Sequence, residues 1–413
     1  MGEQEQKKIF RLCCLALLVT SMTFAIRAGI LGQLGTDFGL SGLQLGWVNS
    51  MAFLGFPLAT IFGGALYNAI GAKKLISLAF ICHLLGLVLT ITADGFIGLI
   101  ISTFLIGFAN GAVEAGCNPL ITESYPKNKT TMLNRFHVWF PAGIVIGALI
   151  SNFMTQASFS WQAQVSMILL PTFAYGYLLL KTAFPLFDKK KHSTLENIKF
   201  LASPLFIFLA VCMTLTATSE LGTQQWIERI LGSSGASPML ILALITGLMA
   251  IGRFYAGPLI KRLNPIGVLF VSSVFATVGI YLMSISQGYM VYIAAIFFAL
   301  GVTYFWPTML GCVAEYTPKT GALGMSLIGG IGMFAVSLWN PVIGHWIDVA
   351  KNQAQSLQLT DAESELISGQ AVLANLALFP AALIFAFAGL YFFYRRTIQN
   401  KQKIDVEVNP VNS

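Results

Sequence analysis

Long, uninterrupted runs of apolar residues dominate the chain, and short polar segments separate them. Each run holds about 20 residues or more, the length that an α-helix needs to cross a bilayer. The apolar residues do not alternate with polar ones, which argues against the strands of a membrane barrel. The pattern predicts twelve transmembrane helices, at 9–32, 43–69, 74–93, 96–124, 131–154, 161–183, 201–228, 238–260, 266–286, 289–316, 321–346 and 371–395. We therefore expect an all-α membrane protein.

The amino-acid composition agrees with this expectation. Hydrophobic residues make up 56% of the chain and charged residues only 10%, whereas soluble proteins carry about 25% charged residues. A soluble fold with so few charges would expose a very large apolar surface. The 6 cysteines all fall inside apolar runs and lack metal-ligand spacing. We therefore expect neither a disulfide framework nor a metal site.

The positions of the basic residues orient the predicted spans. With twelve spans both termini lie on one side of the membrane, and most of the 24 Lys and Arg residues fall on that side. Basic residues concentrate in cytoplasmic loops, so the net charge of +7 marks the cytoplasmic face rather than a nucleic-acid site. We expect a multi-pass protein of the bacterial inner (plasma) membrane with both termini in the cytoplasm.

A polar segment at 184–200 divides the spans into two groups of six. This division predicts an N-terminal six-helix bundle over 1–183, a cytoplasmic linker over 184–200 and a C-terminal six-helix bundle over 201–396. The polar tail at 397–413 has the composition of a disordered segment.

The two groups of spans share short sequence similarities. Residues 123–127 (ESYPK) correspond to 315–319 (EYTPK), and 64–66 (GAL) correspond to 257–259 (GPL), each of the latter ahead of a basic pair. Duplicated halves of this kind place a binding site between them near the bilayer midplane. Rocking of one half against the other then exposes the site to each side in turn.

The segment after the second span resembles a motif of the major facilitator superfamily. It reads Gly64-x-Leu66-x-Asn68-x-x-Gly71-x-Lys73-Lys74, with Asn68 in place of the usual Asp of the motif. The resemblance implies two pseudo-symmetric six-helix bundles that transport a small molecule by alternating access. We place Lys73 of this motif among the expected gating residues.

A narrower resemblance involves the fourth, fifth and seventh spans. The segments 111–119 (GAVEAGCNP) and 133–137 (LNRFH) resemble the fucose permease-like sugar symporters, and Glu220 followed by Trp226 is similar to the glucose-transporting branch of that family. The resemblance implies uptake of a monosaccharide coupled to H⁺ or Na⁺. The family pattern has an acid in the first span, whereas residues 26–29 here read IRAG, so a coupling role for the first span does not transfer.

Ionisable residues inside the spans are the strongest functional candidates, because each costs about 2.5–3.5 kcal/mol at a helix centre. Among 17 acidic residues, only Glu114 and Glu220 fall well inside spans. A carboxylate that alternates between dry and wet surroundings can bind and release a proton. We assign both residues to cation coupling, and Glu114 first. The alternative for Glu114 is a permanent ion pair with Arg27 that only holds helices together.

Polar and aromatic residues in or near the spans are the candidates for cargo binding. The segment 214–226 is the most polar of any span, and its hydroxyls and amides suit sugar hydroxyls or Na⁺. A tryptophan ring also suits the apolar face of a pyranose. The alternatives are hydrogen bonding between helices and, for tryptophan, anchoring at the membrane interface. The expected cargo-binding residues are Arg27, Gln33, Asn118, Gln224, Gln225, Trp226, Trp306 and Asn340.

Four charged residues, two in each half, lie near the cytoplasmic ends of spans: Glu123, Arg135, Arg253 and Glu315. We expect them to form a latch of ion pairs that closes the cytoplasmic side and breaks when the transporter turns inward. The alternative is a set of static helix ends. His137, near the same level, either titrates near neutrality or donates a hydrogen bond in helix packing.

The sequence lacks a P-loop, a zincin helix, a nucleophile elbow and a dinucleotide-binding turn. We expect no catalytic residue, no cofactor beyond the coupling ion, and a monomer that binds a small molecule, not nucleic acid, in the lipid bilayer. The alternative within the same fold is a proton-coupled exporter of drugs or small metabolites, and a third class is an intramembrane enzyme or receptor. A central cavity lined by Glu220, Gln224 and Gln225 favours a sugar, whereas the same side chains against lipid or a neighbouring helix favour the exporter.

Overall fold

The computed structural model describes residues 2–40, 42–185, 194–224, 230–231, 233–236, 238–356 and 360–408. Within these residues the regular structure is helical and no strand occurs, which confirms the all-α class. The helices are α1 (Glu3–Phe38), α2 (Gly42–Ile91), α3 (Phe96–Ser124), α4 (Lys129–His137), α5 (Trp139–Gln156), α6 (Trp161–Ser166), α7 (Leu169–Lys181), α8 (Thr194–Leu201), α9 (Pro204–Ala217), α10 (Pro238–Phe254), α11 (Ala256–Ile285), α12 (Met290–Val302), α13 (Phe305–Tyr316), α14 (Gly321–Ser356) and α15 (Asp361–Val408). A π-helical turn, Thr218–Gly222, follows α9.

The described helices account for the twelve predicted spans. By length and composition, 10 helices can cross a membrane. One of them, Ser50–Ile91, contains two predicted spans, and the shorter apolar helix Leu240–Phe254 supplies another. Large apolar side chains such as Leu180 and Phe385, each 81% exposed, cover the outside of the bundle. A bilayer provides the apolar surroundings that these exposed side chains need.

Two helices break at corresponding points of the two halves. Gly71 interrupts α2 with φ +77°, and Asn264 interrupts α11 with φ +55°. Glycine adopts such angles without strain and asparagine tolerates them. Asn264 precedes Pro265, which disfavours helix, and its side chain accepts a hydrogen bond from the Gly267 backbone at 3.0 Å. The repeat recognised in the sequence therefore has a structural counterpart at these breaks.

The linker and the tail contain more helix than expected. Helix α8 begins within the predicted linker and ends one residue after it, at Leu201, while residues 186–193 lie outside the described residues. The chain is helical from 397 to 408, where disorder was expected. Propagating a helix already formed needs no new nucleus, so the polar end of α15 can continue the preceding helix. The boundaries 1–183, 184–200, 201–396 and 397–413 stay predictions.

The two halves meet closely along one end of the bundle, which we call the basic end because it carries Lys73, Lys127 and Lys319. Gly64 of α2 lies so near α14 that an added Cβ would come 2.3 Å from Ser326 Cβ. The described hydrogen bonds between helices α1–α7 and α9–α15 all lie at this end or in the centre of the molecule. The conformation is thus closed at the basic end.

Candidate functional site

A small cavity lies between the two halves at the centre of the molecule. Residues of both halves line it: Phe56, Glu114, His137, Phe140, Glu220, Leu221, Arg253, Trp306 and Met333. About 20 Å³ is open to water-sized molecules, which is room for about one water. A larger cargo therefore needs the halves to separate before it can enter. Within the described residues, this is where buried charges of both halves meet.

Glu114 lies on α3 and is 5% exposed. The Asn118 side chain, one helical turn further along, donates a hydrogen bond from Nδ2 to Glu114 Oε2. His137 Nε2 lies 3.2 Å from Asn118 Oδ1 and 3.8 Å from Glu114 Oε2. Pro119 follows Asn118 within the helix and lacks a backbone N–H, so a carbonyl one turn earlier loses its helical partner. The carboxylate is thus surrounded by polar groups in an otherwise apolar helix.

Glu220 lies in the π-helical turn that follows α9 and is 4% exposed. Such turns are rare and are frequent at functional sites. The hydroxyls of Thr218 and Ser219 donate to backbone carbonyls one turn earlier, a pattern that bends helices. Glu220 Oε1 accepts from Arg253 Nη2 at 2.9 Å, while its Oε2 is buried without a hydrogen bond to the described residues. One oxygen therefore stays available to a ligand.

Arg253 of α10 joins the two halves. The guanidinium is buried and donates from Nη2 to Glu220, from Nε to the Thr303 carbonyl at 2.6 Å, and from Nη1 to the His137 carbonyl at 3.2 Å. Glu220 and Thr303 belong to the C-terminal half, whereas His137 belongs to the N-terminal half. A buried ion pair needs such further hydrogen bonds to offset its desolvation. Arg253 was expected in a latch near the helix ends, and it lies at the central cavity instead.

The structure brings some predicted cargo-binding residues together and separates others. Trp306 lines the cavity, and Asn118 lies directly behind Glu114. Gln33 lies away from the cavity, where its Oε1 faces Gln164 Nε2 at 3.4 Å. Arg27 lines a different cavity within the N-terminal half, and its guanidinium lies 5.0 Å from the ring centre of Phe24. The two residues point away because helix rotation, which polarity alone does not specify, decides which face meets the other half.

Four further predicted residues lie at the edge of the described residues or outside them. Gln224 contacts a neighbouring helix, with Nε2 at 3.4 Å from Met249 Sδ. Gln225, Trp226 and the side chain of Asn340 lie outside the described residues. Glu220 lines the cavity, as expected for a sugar site, whereas Gln224 packs against α10, as expected for the exporter.

The predicted latch does not form as ion pairs among the described residues. Glu123 accepts from the Tyr67 hydroxyl at 2.9 Å, and Glu315 accepts from both the backbone N–H and the hydroxyl of Thr130, at 3.2 and 2.5 Å. Arg135 is exposed. Lys73 is also exposed, and its Nζ lies 5.7 Å from the ring centre of Phe184. Topology places these charges at one end, but it does not specify which helices face each other there.

His137 lines the cavity, although it was not among the predicted binding or coupling residues. Its signal in the sequence was Asn134, three residues earlier, in the segment that resembles the sugar symporters. Phe56, Phe140 and Met333 were not predicted, since single apolar residues in apolar spans carry no distinguishing signal. The described residues contain no group of three or more His, Cys, Asp or Glu side chains that could hold a metal ion.

Two helical halves around a buried, charged cavity define a class of protein, the polytopic membrane transporter. The family model of the Major Facilitator Superfamily matches residues 13–340, and the chain belongs to this family. It is a multi-pass integral membrane protein and a transporter rather than an enzyme.

Known proteins resemble the chain along most of its length. It is 24% identical over 340 residues to the putative niacin/nicotinamide transporter NiaP of Bacillus subtilis, a match that covers 77% of this chain and 82% of that protein. The fold resembles the crystal structure of the transporter FucP in the outward conformation, with a TM-score of 0.73 at 19% identity over 92% of this chain and 98% of FucP. The proton:xylose symporter XylE, bound to 6-bromo-6-deoxy-D-glucose, matches with a TM-score of 0.73 at 13% identity over 93% of this chain and 97% of XylE. At these identities the solved structures establish the fold alone.

Proposed function

We propose that this transporter couples the uptake of a monosaccharide to a cation, H⁺ or Na⁺, by alternating access. Glu114 and Glu220 are the carboxylates of the proposed site. The observation that carries the proposal is the meeting of Glu114, His137, Glu220 and Arg253 around one cavity between the halves. Buried charges are costly in a membrane and face a transport pathway in most cases.

The two carboxylates differ in a way that suggests different roles. Glu220 is compensated by the Arg253 guanidinium at 2.9 Å. Glu114 has a neutral amide and a histidine as its nearest polar neighbours. A carboxylate without a fixed cation gains more from binding H⁺ or Na⁺ than one that is already paired. We therefore propose Glu114 as the coupling residue and Glu220 as a residue that binds cargo through its unbonded Oε2.

The cavity lining also fits a sugar. Trp306, Phe56 and Phe140 present aromatic rings to the cavity, and such rings suit the apolar face of a pyranose. The charged groups that also line the cavity can supply the hydrogen bonds that fix hydroxyls in place. The names of FucP and XylE, a fucose:proton and a proton:xylose symporter, support this cargo class by similarity of fold.

A second candidate has a specific observation in its favour. Gln224 contacts Met249 instead of the cavity, and five of the nine lining residues are Phe, Leu, Trp or Met. A mostly apolar site suits a drug-like compound or a small metabolite with an aromatic ring. The relative in Bacillus subtilis is named a putative niacin/nicotinamide transporter. A proton-coupled transporter of such compounds, working as an exporter, is therefore the alternative.

We further propose that the protein works as a monomer in a bacterial inner membrane with both termini in the cytoplasm. The supporting observation is the concentration of basic residues at the end where the halves are closed. In this orientation the halves are closed on the cytoplasmic side.

The proposal is tested by uptake into proteoliposomes that contain the purified protein. Labelled monosaccharides and labelled niacin are offered under an inward pH gradient alone, an inward Na⁺ gradient alone, or neither. We expect a monosaccharide to accumulate above its external concentration under one of the gradients. Accumulation of niacin alone supports the alternative cargo, and the absence of gradient-driven accumulation for every compound contradicts coupled uptake.

A further inference from the structure

The short helix α4 makes unusual contacts with the opposite half. It belongs to the N-terminal half, yet several residues along it bond to α10 and α13 of the C-terminal half. Asn134, in its middle, donates from Nδ2 to Thr308 Oγ1 at 3.2 Å. Gly311 of α13 packs so closely that an added Cβ would come 2.3 Å from Thr130 Oγ1. One face of α4 is therefore a seam between the halves.

The N-terminus of α4 receives a negative charge from the other half. The Thr130 N–H is among the first four of the helix, which have no partner within the helix. It donates to Glu315 Oε1 at 3.2 Å, together with the Thr130 hydroxyl. Helix α4 supplies no acid in its own first turn, and Asn128 at the N-cap makes no side-chain cap bond. Glu315 thus provides the capping carboxylate that the sequence of α4 lacks.

At its other end, α4 accepts a hydrogen bond from the same C-terminal half that holds Glu315. The His137 carbonyl belongs to the last residue of α4 and accepts from Arg253 Nη1 at 3.2 Å. Val138 has helical angles and α5 begins at Trp139, but Pro141 lacks the N–H that would bond the His137 carbonyl within the helix, and Arg253 supplies the missing donor. Glu315 and Arg253 therefore hold α4 from the opposite half at both of its ends.

The arrangement is reciprocal at the basic end. Lys129, the first residue of α4, donates from Nζ to the Ala314 carbonyl at 3.1 Å, in the last turn of α13. A cation at the C-terminus of α13 is favoured because a helix carries a partial negative charge at that end. The two helix ends thus cap each other across the boundary between the halves.

We propose that Glu315 and Arg253 form a clamp on the two ends of α4 that keeps the basic end closed. This clamp replaces the latch of ion pairs expected from the sequence, and it does not involve Arg135 or Glu123. Glu315 and Arg253 are positioning residues. They hold α4 by hydrogen bonds, and because α4 belongs to the N-terminal half, they hold that half against the C-terminal half. The inference rests on alternating access within the family and holds for any cargo or coupling ion.

The clamp also connects the cavity to the closed end. Arg253 holds Glu220 and the His137 carbonyl with adjacent nitrogens. Cargo that engages Glu220 or the guanidinium competes with the C-terminus of α4 for the same donors. Binding in the cavity then weakens one end of the clamp, while Glu315 holds the other end until the halves part.

The test measures the distance between the halves at the basic end in the absence of cargo. Spin labels are attached at Lys127→Cys and Lys261→Cys, two exposed positions on opposite halves, and the distance distribution is recorded by pulsed electron paramagnetic resonance in lipid nanodiscs. We expect Glu315→Gln to raise the ratio of open to closed populations about threefold and Arg253→Lys about tenfold. Arg253→Lys keeps a positive charge beside Glu220 but loses the forked guanidinium, whose Nη1 bonds to the His137 carbonyl of α4.

Arg135→Gln is the matched control, because it removes an exposed cation from α4 without touching either end of the clamp. We expect its distance distribution to equal that of the unaltered protein. Equal distributions for Glu315→Gln and the unaltered protein overturn the clamp. An opening by Arg135→Gln as large as that by Glu315→Gln also overturns it, in favour of the ion-pair latch. Because no cargo is present, neither outcome bears on the proposed monosaccharide uptake.

Discussion

Two histidines of the described residues, His83 and His137, are buried, and their surroundings differ. His83 is 0% exposed, and its ring nitrogens lie 2.9 Å from the Tyr175 hydroxyl and 2.8 Å from Asn110 Oδ1. Asn110 in turn donates to Thr23 Oγ1 at 3.1 Å. All four residues belong to helices of the N-terminal half. The network is closed, neutral and confined to one half.

His137 is 2% exposed and lies where the halves meet. Its ring approaches Asn118 and Glu114, and its backbone carbonyl accepts from Arg253 of the other half. These partners line or adjoin the central cavity, and they come from both halves. Burial of a titratable residue therefore does not by itself indicate transport chemistry. The position of its partners, within one half or across two, separates a structural role from a functional one.

The largest expected effect concerns the charges around His137. Glu220→Ala leaves Arg253 buried without its carboxylate, and breaking a buried ion pair in this way costs about 3–5 kcal/mol. Arg253→Ala leaves Glu220 equally uncompensated. We expect each single variant to unfold at a much lower temperature in detergent than the unaltered protein. The double variant should lose less unfolding free energy than the two single variants together, because neither charge is then left unpaired.

If the losses of unfolding free energy in this double-mutant cycle are additive, the two side chains do not act as a pair. Glu196→Ala is the control, because Glu196 is an exposed carboxylate on α8. Exposed substitutions away from special features change stability by no more than about 0.5 kcal/mol.

His83→Ala tests the structural side of the comparison. It leaves the Asn110 carbonyl oxygen and the Tyr175 hydroxyl without their partner, at about 1–3 kcal/mol for each buried group. We expect a lower unfolding temperature, with an unchanged KM for cargo in the protein that folds. His345→Ala, at an exposed position, serves as the control for stability. A changed KM in His83→Ala would place His83 in the transport machinery and remove the distinction drawn here.

His137→Gln tests the functional side. Glutamine keeps a donor for Asn118 and a similar volume but cannot carry a proton beside Glu114. We expect gradient-driven uptake to fall about tenfold or more, because a group that can transfer a proton beside the coupling carboxylate is lost, with little change in unfolding temperature. The pH dependence of uptake should change as well, whereas His83→Gln should leave it as it is. Identical pH profiles for both variants contradict a role of His137 in coupling.

The smallest expected effect comes from Thr130→Val at the far end of α4. Valine keeps the backbone N–H bond to Glu315 and loses the hydroxyl bond, which is worth about 0.5 kcal/mol because Glu315 is exposed. We expect a shift of about twofold toward opening at the basic end, smaller than for Glu315→Gln, read from the same spin-label distance. Thr131→Val is the matched control, since no described hydrogen bond joins the Thr131 hydroxyl to the other half. Equal shifts for both threonines would mean that the hydroxyl of Thr130 contributes nothing specific.

The sequence predicted the fold well because membrane helices follow from local patterns. Twelve spans in two halves could be predicted from three local features: the apolar runs, the positive-inside bias, and the repeated segments at 64–66 and 257–259. Glu114 and Glu220 were found for the same reason, since a carboxylate in a long apolar run is a conspicuous local signal. Asn118 follows Glu114 by one helical turn, and Trp306 directly precedes Pro307 inside a span, so both could be predicted from the sequence.

Other parts of the site depend on non-local geometry. Gln33 and Arg27 have the same polarity signal as Asn118, but the rotation of α1 turns them away from the cavity. The partners of Glu315 and Arg253 could not be predicted, because capping of α4 from the opposite half depends on how two distant spans approach. His83 and His137 look alike in sequence, as single histidines in apolar surroundings, and only the contacts distinguish them.

The central claim is that Glu114 serves coupling while the rest of the cavity serves cargo. Its most direct test is the Glu114→Gln variant in proteoliposomes, assayed for gradient-driven accumulation and for counterflow of the same labelled cargo. The account predicts that accumulation is lost while counterflow persists, because the neutral amide cannot exchange a cation but leaves the cavity in place. Accumulation at the rate of the unaltered protein would contradict the coupling role, and loss of both activities would make Glu114 a binding or structural residue.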